Sequence, residues 1–142
     1  MATERITSEK IVKTSHFGEI KVTPETIFYF ENGVLGFEEL NNFVLITEDE
    51  TVPFKWLLAI ENPEIIFPVI SPWYIIDTYN PGKNFNLENN VLFAIVTLND
   101  GEGNITANLK APVALNVTEQ TGEQIILPTD KYALNHIISQ KK

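Results

Sequence analysis

Residues 105–117 carry the strongest structural constraint in the chain: Ile105, Ala107, Leu109, Ala111, Val113, Leu115 and Val117 are apolar, while Asn104, Thr106, Asn108, Lys110, Pro112 and Asn116 are not. Side chains on a β-strand point to opposite faces with period two, so this alternation predicts one long, half-buried strand with Ala114 as the lone apolar residue on its outer face. Pro112 keeps the phase on either side of it and marks a place where the strand lacks a hydrogen-bonded neighbour. A strand this long outruns a single partner, as happens where a sheet curls into a barrel or a strand crosses between packed sheets.

Eight further runs are strand-sized and rich in β-branched or aromatic residues: 11–15, 19–23, 26–31, 43–48, 54–61, 65–71, 91–98 and 123–128. Turn formers stand between them, among them His16-Phe17-Gly18, Asn32-Gly33, Asn62-Pro63, Asn80-Pro81-Gly82 and Asn99-Asp100-Gly101. No segment keeps a 3.6-residue apolar period over three turns, although residues 37–42, 85–90 and 131–140 could each form a short helix. The predicted fold is all-β and mostly antiparallel, a small closed or nearly closed β-barrel with one or two short helices. Without repeats or linkers, residues 1–142 are read as a single domain, with an ordered core of about 10–138 and mobile ends.

Charge narrows the possible partners. Ten Lys and Arg against 19 Asp and Glu give a formal charge of -9, which repels phosphate backbones, so no direct nucleic-acid binding is expected; attraction to a basic protein is the positive counterpart, although acidic surfaces more often serve only solubility. There is no cysteine, which removes disulfides, thiolate metal sites and a thiol nucleophile and suits a reducing compartment. The stretch MATERITSEK has no apolar run of signal-peptide type, and nowhere do 18 apolar residues follow one another. A cytoplasmic protein with no membrane association is expected.

Catalytic patterns are sparse. His16 and His136 sit at opposite ends of the sequence without acidic residues at ligand spacing, so they read as a turn residue and a surface residue. Glu48-Asp49-Glu50 falls between two strand candidates and reads as a solvated hairpin tip. Asp100 to Asn104 lacks the full calcium-loop pattern, and Asn-Asp-Gly between apolar runs is a hairpin signal. Gly33 and Gly36 lack the Lys-Ser/Thr pair of a phosphate-binding loop and read as turn glycines. None of the four serines has a nucleophile-elbow context. The Asn-Xaa-Thr patterns at 104 and 116 carry no meaning without secretion. No catalytic residue, cofactor or metal is expected.

The apolar content of the strands exceeds what one buried face needs. In FKWLLAI, Phe54, Trp56, Leu58 and Ile60 share one face while Leu57 and Ala59 partly cover the other, and VLFAIVTL is apolar on both. Either loops or short helices cover the second face, or part of it is an exposed patch that receives a partner, with PWYIIDTY at 72–79 the favoured place.

Five ordered blocks together resemble the FliW family of bacterial flagellar assembly factors: TSHFGEIKV, IFYFENGVLGFEEL, PFKWLLAIENPEIIFPVISP, NITANLKAPVALN and QIIL. The chain departs from that family's pattern at Glu31-Asn32 and Leu35, where prolines are common, and at Leu58-Ala59, which replaces a Gln-Ser pair. The resemblance implies a small non-catalytic β-barrel that binds flagellin before export, as a chaperone, and also binds CsrA, the translational repressor of flagellin synthesis, relieving that repression. The expected contact residues are Phe37 and Glu38 in the glycine-flanked turn, Trp73, Tyr74, Asp77 and Tyr79, and Trp56, because aromatic residues beside carboxylates commonly anchor interfaces. Two other readings stay open. A small-molecule-binding barrel needs an apolar cavity of about 300 Å³ or more. A carboxylate enzyme needs two of Glu38, Glu39, Asp77 and Glu61 to converge in a cleft.

Overall fold

A computed structural model of the chain describes residues 4–83 and 85–139. Its strands are β1 (Lys10–Thr14), β2 (Gly18–Val22), β3 (Ile27–Tyr29), β4 (Asn42–Thr47), β5 (Lys55–Ala59), β6 (Ile66–Ile70), β7 (Asn90–Thr97), β8 (Ile105–Ala107), β9 (Val113–Asn116), β10 (Thr121–Gln124) and β11 (His136–Ser139). Among the described residues the helical segments are three single 3-10 turns, Pro24–Thr26, Asp49–Thr51 and Pro72–Tyr74. The helices expected at 37–42, 85–90 and 131–140 do not form: the first two are turns running into β4 and β7, and the third contains β11.

Seven strands close a barrel in the order β7-β6-β5-β4-β3-β10-β9, and β9 returns to β7 to complete the ring. All neighbours are antiparallel except β10 and β3, which meet in parallel at the single pair Thr121 and Tyr29. Strand β7 is long enough to pair with β9 through Asn90–Phe93 and then with β8 through Val96 and Thr97. It thereby carries the β8-β11 extension outside the ring.

The long strand expected over 105–117 is two strands. The N–H groups of Leu109 and Lys110 both turn to the carbonyl of Ala133, the N–H of Ala111 goes to the Asn108 side chain, and Pro112 has no N–H to offer. The alternation still records burial, since Ala107, Leu109, Ala111, Val113 and Leu115 are almost fully inaccessible. It hides a crossing, however: Val113 and Leu115 enter the barrel interior, whereas Ala107 and Leu109 pack in a second cluster outside it. Ala114 is buried on the outer face beneath that cluster, and Val117, placed by the alternation on the inner face, lies beyond the strand and is exposed.

The interior is filled. Phe28, Phe30, Phe43, Leu57, Val69, Phe93 and Leu115 pack together there, with Phe30 edge-on to Phe43 at 4.9 Å between centroids. A ligand cavity of the size a small-molecule barrel requires therefore does not lie inside the ring.

Two covers lie on the outer wall and explain why several strands are apolar on both faces. The β1-β2 hairpin lays Val12 and Val22 over Ile27, Val44, Leu58 and Ile60 of the β3-β4-β5 wall. On the other side, residues 73–79 with Phe85, and residues 125–138, lay Tyr79, Leu127 and Tyr132 over Leu92, Ala94, Val96 and Ala114 of β7 and β9. In β5 it is Leu57 and Ala59 that face inward, while Leu58 and Ile60 lie under the hairpin.

Polar links complete the covers. Asn41 and Asn42 are fully buried at the start of β4, and the Glu61 carboxylate accepts the backbone N–H of both as well as Asn42 Nδ2 at 2.7 Å. Asn42 in turn accepts the N–H of Ile6 and donates to the carbonyl of Glu4, while Arg5 donates to the carbonyls of Glu119 and Gln120. Residues 4–9, expected to belong to a loose end, include a segment bonded to the barrel. The rest of that expectation, at residues 1–3 and 140–142, lies outside the described residues.

Candidate partner-binding surfaces

Between the two covers the outer wall is bare in two places, and each is a groove. The first opens over β3, β10 and β9, with a volume of about 730 Å³. Tyr29 and Thr121 line it together with Ala114 and Ile125 at the margin of the second cover, and Glu31, Glu38, Glu119 and Glu123 also line it. No lysine or arginine among the described residues lines it, so four carboxylates set its potential. Leu35, 56% exposed, stands at its edge with its N–H held by the Gln124 side chain at 2.9 Å.

Glycines bring the walls of this groove together. Gly33 has φ +65°, and a Cβ there would come within 2.6 Å of the Glu38 Cα, so the 30–38 loop closes on itself only with glycine at that position. Gly122 places its backbone against the Phe30 ring, where a side chain would project into the filled interior.

The second groove, of about 530 Å³, lies over β5, β6 and β7. Its lining is mainly apolar, with Phe17, Trp56, Ile66, Pro68 and Leu98, and Glu48, Glu64 and His16 at its margin. The Trp56 indole is fixed by a hydrogen bond from Nε1 to Thr51 Oγ1 at 3.0 Å and by its neighbour Phe17, 6.4 Å away between centroids.

The residues expected to contact partners fall in three separate places. Glu38 is exposed on the acidic groove, and Phe37 beside it is half-buried, edge-on to Phe67 at 5.2 Å. Trp56 lines the apolar groove. Trp73, Tyr74, Asp77 and Tyr79 belong to the second cover: Tyr74 is 72% exposed and Asp77 is exposed, but Trp73 stacks edge-on against Tyr79 at 5.5 Å. Tyr79 is a core residue and not a surface anchor. Only 3% of it is accessible, and its hydroxyl donates to the carbonyl of Leu109 at 2.6 Å. Burial first, and the neighbouring Tyr132 second, push its phenol up to about 12.

Sequence reasoning missed Leu35, Ile125 and Glu123 on one groove and Phe17, Ile66, Pro68 and Leu98 on the other. The available signal was the doubly apolar run ending at Leu98, which one cover does not use up.

Several sequence expectations about chemistry are met by structural roles. Glu48, Asp49 and Glu50 occupy the β4-β5 connection. Asp100 sits in the β7-β8 turn and accepts the N–H groups of Glu102 and Asn104 and the Asn104 side chain, the Glu102 N–H first among the bonds that hold its carboxyl below the usual range. Glu61 holds β4, as described above. Among the described residues there is no group of three His, Cys, Asp or Glu side chains placed to hold a metal ion, and no buried side-chain polar atom lacks a partner. Among the described residues no helix is long and apolar enough to cross a membrane.

Comparison with known proteins decides the family. The family model described as "FliW protein" matches residues 10–138. The chain belongs to the FliW family. The flagellar assembly factor FliW of Caldanaerobacter subterraneus subsp. tengcongensis is 41% identical over 140 residues, covering 92% of this chain and 93% of the relative. The factor of the same name from Thermotoga petrophila is 35% identical over 141 residues, with 92% and 95% covered. A crystal structure of the flagellar assembly factor FliW superposes with a TM-score of 0.81 at 29% identity, covering 94% of this chain and 99% of that one.

Proposed function

We propose that the chain is a non-catalytic, cytoplasmic protein-binding factor that binds flagellin as a chaperone and binds CsrA, lifting its repression of flagellin synthesis. Membership in a family of flagellar assembly factors, spanning residues 10–138, carries this reading. The geometry supports it. The barrel interior is filled with side chains, Tyr79 and Asp100 are engaged in holding structure, and the bare surface consists of grooves on the outer wall.

The mechanism is competition between binding equilibria. Flagellin in excess occupies the factor and leaves CsrA free to repress; export of flagellin frees the factor, which then withdraws CsrA from its messenger RNA. Each partner shifts the other only through the concentration of free factor or through a coupling between sites. The net charge of -9 favours capture of CsrA, which must be basic where it holds RNA. A pull-down with purified flagellin and with purified CsrA tests the reading: each is retained at micromolar concentration if it holds, and retention of neither overturns it.

A further inference from the structure

We propose that the ring opens at the β3-β10 junction, where the side chains of Arg5, Gln120 and Gln124 form a latch in place of a backbone ladder. The latch holds the two walls of the acidic groove together. This device belongs to the barrel itself and is independent of which partners the chain binds. Three observations carry it.

The first is pairing. β3 meets β10 in parallel and at one pair, Tyr29 and Thr121, whereas β4 and β5 share five antiparallel pairs and β9 and β10 share four. Parallel pairing is also the less stable kind per residue. Past Tyr29 the chain leaves β10: the Phe30 N–H goes to the carbonyl of Asn41 and the Gly33 N–H turns back to Phe30. Glu123 and Gln124 run on without a paired residue in β3. The second is what closes the gap. Gln120 Nε2 donates to the carbonyls of Glu25 at 2.7 Å and Ile27 at 3.2 Å. Gln124 accepts the Leu35 N–H at 2.9 Å and donates to the carbonyl of Ala111 at 3.0 Å. Residues 4–6 are bonded to Asn42 of β4, so Arg5, donating to the carbonyls of Glu119 and Gln120, ties that side to the β9-β10 turn. The third is strain. Among the described residues Gln120 is the one non-glycine residue with positive φ, at +57°, a conformation that persists only where the surroundings hold it. The groove spans this junction: Glu31 and Glu38 follow β3, while Glu119 and Glu123 belong to the β10 side. Release of the latch parts them and uncovers Phe30, whose ring lies against Gly122.

Amide-resolved hydrogen exchange tests this, because adjacent N–H groups of β3 report on its two sides. Tyr29 bonds across the junction to the carbonyl of Gln120, and Phe30 bonds to Asn41. After correction for unfolded-chain rates, Tyr29 and Leu35 are expected to exchange about tenfold faster than Phe30 and Ile60 in the parent. Gln120→Gly separates backbone from latch. Glycine relieves the positive φ, so if Gln120 were only a turn residue the exchange of Tyr29 would stay unchanged or slow down. Loss of the two side-chain bonds should instead speed it about tenfold more, with Phe30 and Ile60 unmoved. Gln124→Ala should do the same at Leu35, and Arg5→Ala should act in the same direction at Tyr29 by a smaller factor.

Protection of Tyr29 equal to that of Phe30 in the parent would overturn the proposal. So would unchanged or slower exchange of Tyr29 in Gln120→Gly. Acceleration of Tyr29, Phe30 and Ile60 together in that variant would overturn it too, because the loss would then be one of the whole fold and not of a local joint. Retention or loss of flagellin and CsrA in a pull-down leaves each of these outcomes as it stands.

Discussion

The outer wall of one barrel is treated in two ways. Over β3-β4-β5 and over β7-β9, added segments seal apolar residues such as Leu58 and Ala94 completely; over β10 and over β6 the wall is bare, acidic in one place and apolar in the other. The difference teaches that doubly apolar strands alone do not mark a binding surface. The covers absorb most of that apolar excess, and the bare grooves are what they leave.

Substitutions should therefore cost stability where the wall is covered and little where it is bare. The largest loss is expected for Leu58→Ala, fully buried under the hairpin, at about 4 kcal/mol in chemical denaturation. Gly122→Ala comes next, at about 3 kcal/mol, because its new Cβ would collide with the Phe30 ring, so bareness belongs to the outer face alone. Tyr79→Phe should cost about 1.5 kcal/mol, since the carbonyl of Leu109 loses its buried donor. Leu98→Lys and Glu38→Lys, each on a bare strip, should stay within about 0.5 kcal/mol of the parent. A Leu98→Lys loss as large as that of Leu58→Ala would break the comparison.

Tyr79 adds a pH dependence. The fold raises its phenol from 10.0 to about 12, so the unfolded chain releases this proton first. The stabilisation is complete below pH 10 and is lost as pH rises from there toward 12. Denaturation midpoints measured across that window should fall more steeply for the parent than for Tyr79→Phe.

The alternation at 105–117, the strand runs and their turns made the barrel legible, because period-two burial and glycine-bearing turns are local properties. The break at 108–112 was not, since it depends on Ala133, distant in sequence, taking two N–H groups. The segment 131–140 reads as a possible short helix because β8, the strand that pairs with β11, is non-local. For the same reason Tyr79 read as a surface aromatic although its hydroxyl has a buried acceptor thirty residues on. Glu38 and Trp56 stand out in the sequence as a carboxylate beside an aromatic residue and as a strand tryptophan, but their placement on different grooves depends on the topology.

Following RNA bound to CsrA as the chain and then flagellin are added measures whether this chain works by occupying other proteins, as proposed. If it does, the chain lowers the bound RNA saturably and flagellin restores it. Bound RNA that stays constant through both additions would contradict it.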